Sequence, residues 1–360
     1  MAPRFHDLTV REVRRETPDA VSVLFDVPED LAGAYHFDAG QYLTLRTTLD
    51  GADIRRSYSI CSAPDEGGLR VGVKKVEGGA FSTFVNDALK AGDRLQVMTP
   101  EGRFVLPTPP VTAEQKTYLA IAAGSGITPI LSLIKTILAN DPVAEIVLIY
   151  GNRTSKDILF KEALEDLKDV YLERLSVFHL LSRESHEIPL LTGRITGDKI
   201  RAVIGPVVKP EDIEAAFLCG PGDMTDQASA ALRDLGLDAE RIRSELFVPA
   251  GEARKPVRPA AVPEAAGEGQ NVDVILDGSR FSVQLRGEET IIDAATRMGL
   301  DLPYSCRGGM CCTCRAKVVS GAVDMAINYS LEDWELEDGF VLTCQSRPTE
   351  PGTVLDYDAI

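Results

Sequence analysis

Four of the seven cysteines in this 360-residue chain lie within ten residues, in the segment SCRGGMCCTC that runs from Ser305 to Cys314. A fifth, Cys344, follows thirty positions after Cys314. Thiolates bind soft and borderline metals such as iron and zinc, and a reducing compartment keeps thiols free for that role. We therefore expect a metal centre near the end of the chain and not a disulfide framework.

The spacing of these cysteines distinguishes between kinds of metal centre. Three of them form C-x4-C-x2-C and a distant one completes a set of four, which is the plant-type 2Fe-2S spacing. Four thiolates can hold two irons, with backbone N–H groups turned toward the sulfurs. A structural zinc site is the alternative, although zinc sites usually pair two short arms and here one arm is a single cysteine. The predicted cluster ligands are Cys306, Cys311, Cys314 and Cys344, and the cysteines left without a ligand role are Cys61, Cys219 and Cys312.

The elements that must position this loop fall into three segments, with a linker before the last. Residues 1–110 hold short strand-like runs such as AVSVLFDV and YLTLRTTL, separated by turn signals, which predicts an antiparallel β-barrel. Residues 111–247 alternate apolar strands with helical stretches, which indicates a Rossmann-like parallel α/β sheet. Residues 248–270 are rich in proline, alanine, glycine and charge, so we expect a linker.

Residues 271–360 form the last segment, and they predict a small separate domain. VDVILDGSRFSVQL is typical of a hairpin that turns at Asp277 and Gly278. TIIDAATRMG predicts a short helix that ends at Gly299, directly before the cysteine loop. A hairpin and helix around such a loop favour a ferredoxin domain with the β-grasp fold.

Charge and hydropathy narrow the classes of partner. The net charge is −17, whereas nucleic acids and anionic membranes attract basic surfaces, so neither is expected as a partner. No apolar run reaches the roughly 18 residues of a membrane span, and the start, MAPRFHDLTVREVRRE, lacks the apolar core of a signal peptide. We expect a cytoplasmic protein. Its acidity either favours docking on a basic surface or serves solubility alone.

Two short motifs in the first segment could hold a phosphorylated cofactor. RRSYSI places Arg56, Tyr58 and Ser59 in an R-x-Y-S order, which a strand with an exposed arginine also gives by chance. VKKVEGGAFS places Gly78 and Gly79 ahead of a helical stretch. A glycine turn at a helix N-terminus can bind phosphate.

These motifs, in this order on a β-rich segment that precedes an α/β segment, resemble the ferredoxin–NADP reductase superfamily. The resemblance implies FAD as cofactor, with Arg56 on its diphosphate, Tyr58 packed on its isoalloxazine ring and Ser59 hydrogen-bonded near its reactive nitrogen. The glycine and serine of GGAFS would hold the diphosphate, and two residues before them would flank the flavin. These further flavin-site residues are Gly79, Ser82, Val73 and Lys74.

Two glycine loops in the α/β segment could hold a pyridine nucleotide. AAGSGITP lies between a strand and a helix, the context that a G-x-G sequence requires, although the sequence alone is weak evidence. With CGPGDM it resembles the nucleotide loops of the same superfamily, where Cys219 would lie near the nicotinamide; the alternative is a buried cysteine at a strand end. The implied nucleotide-binding residues are Gly124, Gly126, Thr128, Gly220, Pro221 and Met224.

The choice between NADPH and NADH depends on what meets the 2′-phosphate. Arginine forks suit a dianion, and Arg153, Ser182 and Arg183 each follow a strand where the adenosine ribose should lie. NADH enzymes often use an acidic residue at such a strand end to bind the bare 2′-hydroxyl. Neither strand ends in one, although Glu184 follows closely enough to leave its role open. We predict a preference for NADPH; surface arginines without a ligand are the alternative.

The end of the α/β segment and the cysteine loop complete an electron route. RSELF supplies Glu245 and Phe247 at a point where a glutamate and an aromatic approach the flavin in the superfamily, so the predicted reaction centre consists of Ser59, Cys219 and Glu245. A hydride carries two electrons and a 2Fe-2S cluster accepts one, and flavin can take a pair and release single electrons. The predicted order is NADPH, FAD, cluster and an external acceptor.

The acceptor is expected to be a separate oxygenase. The order flavin, nucleotide and C-terminal ferredoxin domain resembles the reductases of phthalate, ketosteroid and phenylacetyl-CoA oxygenases. RRSYSIC, YGNRTS, NYSLE and GFVLTCQS most resemble phenylacetyl-CoA epoxidase reductases, which implies a partner complex with a di-iron catalytic component. A reductase for a Rieske-type oxygenase, with NADH as an open choice, is the alternative, and an electron carrier with a vestigial flavin segment is a second one.

An acidic run offers a candidate docking surface for that acceptor. Residues 271–360 hold fifteen acidic and seven basic residues, and LEDWELEDGF concentrates five of the acids beside the single tryptophan. We expect Glu332, Asp333 and Glu335 to steer a basic oxygenase surface. A solvated helix face is the alternative.

Overall fold

The computed structural model describes residues 4–107, 116–247 and 270–359. The first of these ranges folds as one sheet of six strands with a helix across it. Its neighbouring strands all run antiparallel, and short turns connect two of the neighbouring pairs, β1 with β2 and β3 with β4. The elements are β1 (Phe5–Thr17), β2 (Ala20–Asp26), β3 (Tyr42–Leu49), β4 (Ala52–Ser59), β5 (Leu69–Lys74), α1 (Ala80–Asp87) and β6 (Arg94–Met98).

This sheet closes on itself. The strand order is β4-β3-β6-β1-β2-β5, and the two outer strands meet where Ile60, just after β4, bridges Val71 of β5. Val23 of β2, Leu43 of β3 and Val71 are buried in one cluster inside the closed sheet. The predicted antiparallel barrel is confirmed.

The second range folds as a five-stranded parallel sheet of order β11-β10-β7-β8-β9. The predicted helix ITPILSLIKTILAN is α2, and its apolar side packs on the sheet. Ligands bind at the carboxyl ends of such strands, near the point where strand order reverses. The elements are β7 (Thr117–Ala123), α2 (Ile127–Asn140), β8 (Glu145–Asn152), α3 (Lys161–Val170), β9 (Leu175–Leu181), α4 (Gly197–Ile204), β10 (Ile213–Gly220), α5 (Gly222–Asp234) and β11 (Ile242–Leu246).

The third range folds as a mixed five-stranded sheet of order β13-β12-β18-β14-β16, with β15 paired to β17 beside it. The predicted hairpin turns at Asp277 and Gly278, whose φ angles of 50° and 70° are those that a type I′ turn requires. The cysteine loop joins α6 to β14. The elements are β12 (Asn271–Leu276), β13 (Ser279–Gln284), α6 (Ile291–Arg297), β14 (Arg315–Ser320), β15 (Val323–Met325), α7 (Asp333–Glu337), β16 (Phe340–Leu342), β17 (Ser346–Pro348) and β18 (Thr353–Asp356).

The barrel and the parallel sheet pack closely against each other. A Cβ added to Gly72 of β5 would lie 2.6 Å from the methyl carbon of Thr128 in α2, so only glycine allows this approach. The Ser132 hydroxyl of α2 donates to the Ser62 carbonyl at 2.7 Å. These contacts place the carboxyl end of β4 beside the loops of the parallel sheet.

The segment boundaries drawn from the sequence fall at the gaps in the described ranges. The boundary at 110/111 lies outside the described residues, as does the predicted linker 248–270 apart from Gln270. The boundaries therefore stay predictions. Among the described residues, no helix is long and apolar enough to cross a membrane.

Candidate functional site

Strand β4 presents the R-x-Y-S motif along its length. Arg56 is exposed and donates to the Arg55 carbonyl at 2.7 Å. Tyr58 is half-buried, with its ring 5.9 Å from the ring of Phe81, and Ser59 is buried at the end of the strand. The motif thus presents a guanidinium group and an aromatic ring on one face of the strand and a buried hydroxyl at its end, the groups that the resemblance implies for FAD.

The glycine turn before α1 is shaped by the serine that follows it. The Ser82 hydroxyl accepts from the Val76 N–H at 3.0 Å and donates to the Gly79 carbonyl at 3.1 Å. A Cβ on Gly79 would lie 2.7 Å from that hydroxyl oxygen, so a side chain would disrupt the turn. Ser82 therefore builds the cradle in addition to any contact with a ligand.

The two residues expected to flank the flavin face different ways. Val73 is fully buried within the barrel core, so its side chain does not line the site and only its backbone can. Lys74 is partly exposed, and its ammonium lies 3.5 Å from the Asp19 carboxylate. Strand alternation explains the difference, because neighbouring residues point to opposite faces.

The three residues of the predicted reaction centre converge across the barrel and the parallel sheet. Cys219 is the penultimate residue of β10, and Glu245 lies in the neighbouring β11 as its register partner. The Cys219 thiol donates to the Glu245 carboxylate at 3.9 Å, and the Ser59 side chain lies near enough to Glu245 to affect its pKa. Burial raises the pKa of Glu245 to about 8, although Ser59 and Cys219 act in the opposite direction.

The protonation of this centre follows from its surroundings. Burial raises the pKa of the Cys219 thiol, and the Glu245 carboxyl beside it adds to that effect. The thiol is therefore neutral, and the carboxyl titrates within the range where a small change of environment moves a proton.

Phe247 follows at the end of β11, where its N–H donates to the Gly220 carbonyl at 2.8 Å, and its half-buried side chain packs on the main core.

The two glycine loops of the nucleotide segment touch each other. A Cβ on Gly126 would lie 2.1 Å from the Cys219 carbonyl oxygen, so only a glycine allows the loops to meet. Gly124 has a φ of 55°, in the region that favours glycine. Thr128 caps the turn by donating to the Ser125 carbonyl at 2.9 Å.

The second loop runs from β10 directly into α5. Pro221 precedes the first residue of α5, and the Met224 N–H donates to the Pro221 carbonyl at 3.0 Å. Gly220 lies between Ala123 and Met224, and a Cβ there would come within 2.8 Å of the methionine methyl. Both loops therefore lie together at the carboxyl end of the sheet, where a dinucleotide binds in folds of this kind.

The residues expected near the adenosine ribose form two exposed loops side by side. Arg153, Ser182 and Arg183 are all exposed, and the Arg183 N–H donates to the Arg153 carbonyl at 2.8 Å. Glu184 accepts from the Ser155 N–H at 2.7 Å, which lowers its pKa. The Glu184 carboxylate thus binds the neighbouring loop. The guanidinium groups of Arg153 and Arg183 are exposed to solvent, where a ligand could reach them.

The four predicted cluster cysteines form two pairs. Cys306 is paired with Cys311, whose sulfur accepts the Cys306 N–H at 3.4 Å, and Cys314 is paired with Cys344. In each pair the neighbouring thiol lowers the pKa of one member, Cys306 or Cys344, and raises the pKa of the other. The described residues contain no group of three or more His, Cys, Asp or Glu side chains arranged to hold one metal ion.

The loop around these thiols fits a 2Fe-2S cluster. The Cys306 sulfur accepts backbone N–H groups from Gly308 at 3.3 Å and from Met310 at 3.4 Å, as the sequence predicted for the cluster sulfurs. The four thiolates would supply the ligands of two irons. Cys312 points away, with its thiol donating to the Ser330 hydroxyl at 3.0 Å, and Cys61 is fully buried in the core.

The cysteine loop lies against the barrel, a contact that the sequence did not predict. The Tyr42 hydroxyl of β3 donates to the Cys311 carbonyl and lies 3.0 Å from the Thr313 hydroxyl. Arg55 is 3% exposed and donates to Asp301 at 2.6 Å. A hint was present in the sequence, since RRSYSI contains two arginines and strand alternation sends them to opposite faces.

The acidic helix α7 also belongs to this contact. Glu335 is 1% exposed and pairs with Arg103 of the barrel segment and with Arg315 of β14, the latter at 2.8 Å. The expectation that Glu335 lies on an exposed acidic face is therefore wrong. Its carboxylate is buried where the barrel segment meets the third domain, and it pairs there with Arg103 and Arg315. Glu332 and Asp333 are exposed, as expected for a docking surface.

The fold and the site together define a reductase that joins a flavin barrel, a pyridine-nucleotide domain and a 2Fe-2S domain in one chain. Comparison with protein families supports each part. The chain matches the oxidoreductase FAD-binding domain over residues 7–106, the oxidoreductase NAD-binding domain over 120–230 and the 2Fe-2S iron-sulfur cluster binding domain over 274–349.

Full-length relatives define the family. The chain is 44% identical over 357 residues to a component of the 1,2-phenylacetyl-CoA epoxidase of Escherichia coli K12, covering 99% of this chain and 98% of the relative. It is 34% identical to the ferredoxin reductase component of 3-ketosteroid-9-alpha-monooxygenase from Rhodococcus rhodochrous, covering 97% of this chain and 96% of that protein. The chain belongs to the family of oxygenase reductases that includes these two proteins.

A solved structure shares the architecture. Phthalate dioxygenase reductase, a modular protein for electron transfer from pyridine nucleotides to a 2Fe-2S centre, matches with a TM-score of 0.58 at 22% identity. The match covers 98% of each chain. The overall fold of this chain is therefore shared with a solved structure along the length of both chains.

Proposed function

We propose that this protein carries electrons from NADPH through FAD and a 2Fe-2S cluster to an oxygenase that epoxidises phenylacetyl-CoA. The observation that carries the electron route is the meeting of Ser59, Cys219 and Glu245 at one point, while the cysteine loop lies on the same barrel through Tyr42. When bound there, the flavin accepts a hydride and passes on single electrons. The protein supplies its position, its hydrogen bonds and a site for the cluster.

The residues of the reaction centre have separate parts in this proposal. Ser59 offers a hydroxyl to the reactive edge of the flavin, Cys219 lies where the nicotinamide would stack, and Glu245 holds a proton within hydrogen-bond reach of both. Arg56 would neutralise the diphosphate together with the Gly79 turn, because charge-assisted hydrogen bonds suit a diphosphate. Tyr58 would cover one face of the ring.

The preference for NADPH rests on the two exposed loops at the adenosine end. Arg153 and Arg183 meet through their backbones and leave both guanidinium groups to a phosphate dianion. Glu184 is turned to the Ser155 amide and so does not present its carboxylate to a ribose hydroxyl. This arrangement supports a 2′-phosphate over a bare 2′-hydroxyl.

The acceptor is proposed from the relative that shares 44% identity along the chain, a component of a phenylacetyl-CoA epoxidase. The histidines of this chain, at positions 6, 36, 179 and 186, form no Glu-x-x-His motif of a di-iron site, so the oxygen chemistry is assigned to a partner protein. Such a complex would place the protein in the cytoplasm. A ketosteroid oxygenase is the second candidate, favoured by the 34% identical relative.

The test is NADPH oxidation by the purified reductase mixed with the epoxidase complex, with and without phenylacetyl-CoA, and with NADH in parallel. We expect oxidation that depends on the thioester, is faster with NADPH and consumes phenylacetyl-CoA. Reduction of artificial acceptors without any turnover of that complex would leave the electron route standing and refute the acceptor. Faster turnover with NADH would refute the nucleotide preference.

A further inference from the structure

The hydroxyl of Tyr42 reaches from the barrel into the cysteine loop. Tyr42 is 6% exposed, and its hydroxyl donates to the main-chain carbonyl of Cys311, a predicted iron ligand. The same oxygen lies 3.0 Å from the hydroxyl of Thr313, a residue that stands in the sequence between the predicted ligands Cys311 and Cys314. The contact is thus made with the backbone that shapes the cluster site.

The backbone of Tyr42 pairs with the strand that carries the flavin motif. In the pairing of β3 with β4, Tyr42 is the register partner of Ser59, the residue of the predicted reaction centre. One residue therefore joins the strand that carries the flavin motif to the loop that carries the cluster. Backbone pairing fixes one end of this connection and a buried hydroxyl fixes the other.

Two further polar contacts hold the same surfaces together. The Ser57 hydroxyl donates to the Ser305 hydroxyl at 2.9 Å. Arg55 pairs with Asp301 at 2.6 Å, and its guanidinium lies 4.1 Å from the ring centre of Tyr304. All of these partners come just before the first cluster cysteine, so the approach of the loop to β4 is fixed at several points.

We propose that Tyr42 is a positioning residue that holds the cluster loop against the flavin strands, and so sets the rate of electron transfer from flavin to cluster. The inference rests on the proposed electron route and adds to it the group that fixes the donor–acceptor arrangement. Arg55 and Asp301 serve the same arrangement from the edge of the contact. The role is separate from hydride transfer, which takes place at the Ser59, Cys219 and Glu245 end of the site.

The test compares Tyr42→Phe with a matched control, Tyr35→Phe, in the full-length holoprotein. Tyr35 is a buried tyrosine of the same barrel that donates to the Val97 carbonyl at 2.6 Å, and none of its described hydrogen bonds involves the cysteine loop. Anaerobic mixing with NADPH in a stopped-flow spectrometer separates flavin reduction from cluster reduction. The cluster's midpoint potential and the amide hydrogen exchange of residues 305–314 are measured on each variant.

We expect Tyr42→Phe to slow cluster reduction about three- to tenfold, the range that the loss of one hydrogen bond gives. Flavin reduction and the cluster potential should be unchanged, and exchange of the loop amides should rise. Tyr35→Phe should leave all four measurements as in the wild type. If Tyr42→Phe does not retain its cluster, Asp301→Asn replaces it, with the same slowing expected from the same contact.

Several results would overturn the proposal. Cluster reduction at the wild-type rate in Tyr42→Phe would do so, as would equal slowing in Tyr35→Phe, which would indicate general loss of barrel stability. A shift of the cluster potential large enough to explain the rate would assign Tyr42 to tuning and not to positioning. If the wild type itself fails to reduce its cluster with NADPH, the proposed electron route fails with it, and that outcome is visible before any variant is compared.

Discussion

Replacing Glu335 by glutamine should loosen the cluster domain and its contact with the barrel. The carboxylate is 1% exposed and is shared by Arg103 and Arg315. Its second oxygen accepts the Glu332 N–H at 3.1 Å. Glutamine keeps the size of the side chain but loses the charge, and its amide group cannot accept from both arginines and the N–H at once.

The magnitude follows from how far the two arginines reach water. Removing one partner of a fully buried ion pair costs about 3–5 kcal/mol, because a charge is left without compensation. Here the Arg315 side chain is 17% exposed and that of Arg103 is 43% exposed, so both can be partly hydrated after the change. We therefore expect a loss of about 2 kcal/mol, in the range for hydrogen bonds to charged groups.

The single tryptophan provides the assay. Trp334 lies on α7 next to Glu335, so its fluorescence during urea unfolding reports on this helix. With a denaturant slope of about 1–1.5 kcal/mol per molar for a domain of this size, the midpoint should fall by about 1.5 M. Glu337→Gln is the matched control, because it removes an exposed acid from the same helix and should leave the midpoint unchanged.

The pH dependence gives a second check on the same variant. Burial disfavours the ionised form of Glu335, but the hydrogen bonds from Arg103, the Glu332 N–H and Arg315 outweigh it and lower its pKa. Its stabilisation is therefore present above the unfolded value near 4.5 and is lost as pH falls through the folded pKa. The wild-type midpoint should approach that of Glu335→Gln in acid. Equal midpoints at pH 7, or a Glu337→Gln variant that is equally destabilised, would refute the reasoning.

Three further predictions concern the other parts of the site. Because burial raises the pKa of Glu245 to about 8 from 4.5, its proton favours the folded state below that pH, and in the flavin-free protein stability should fall by about 1–2 kcal/mol between pH 6 and 8. Glu245→Gln should show no such fall in thermal melts; a parallel fall would assign it to another group. Arg183→Gln should lower kcat/KM for NADPH roughly tenfold or more and leave NADH unchanged, and equal losses with both nucleotides would contradict a 2′-phosphate contact. Cys344→Ser should abolish the visible absorption of the cluster whereas Cys312→Ser retains it, and the reverse result would overturn the ligand set.

The parts of the site that the sequence predicted share one property, local spacing. Three of the four predicted cluster ligands lie in a C-x4-C-x2-C run, which is the plant-type 2Fe-2S spacing, and only Cys344 is distant from it. The α2 helix and the hairpin turn at Asp277 and Gly278 also follow from short-range periodicity and turn chemistry. Each of these depends on residues within one turn or one element, so the sequence contained the whole signal.

The parts that the sequence did not predict depend on partners far apart in the chain. Glu335 belongs to an acidic run that is typical of a solvated helix face, yet it pairs with Arg103, which lies 232 positions earlier. Tyr42 lies 269 positions before its partner Cys311. No local pattern marks either residue, because burial at this contact exists only once the barrel and the cluster domain have both folded.

Val73 shows that a sequence motif does not determine which face of a strand a side chain occupies. Its neighbourhood in VKKVEGG was matched to a flavin site, but the side chain is fully buried in the barrel core. A motif fixes which segment approaches a ligand, whereas the face of the strand is set by the register of β5 against β2. Backbone contacts and side-chain contacts at such positions therefore have to be separated by structure.

The central claim is that hydride from NADPH enters at the Ser59, Cys219 and Glu245 end of the site and leaves as single electrons through the cluster. The most direct measurement is anaerobic stopped-flow reduction of the holoprotein by NADPH, followed by electron paramagnetic resonance of the rapidly frozen product. The account predicts flavin bleaching first and then the signal of a reduced 2Fe-2S cluster, without any added partner. Flavin reduction with a cluster that stays oxidised, or cluster reduction that precedes the flavin, would contradict it.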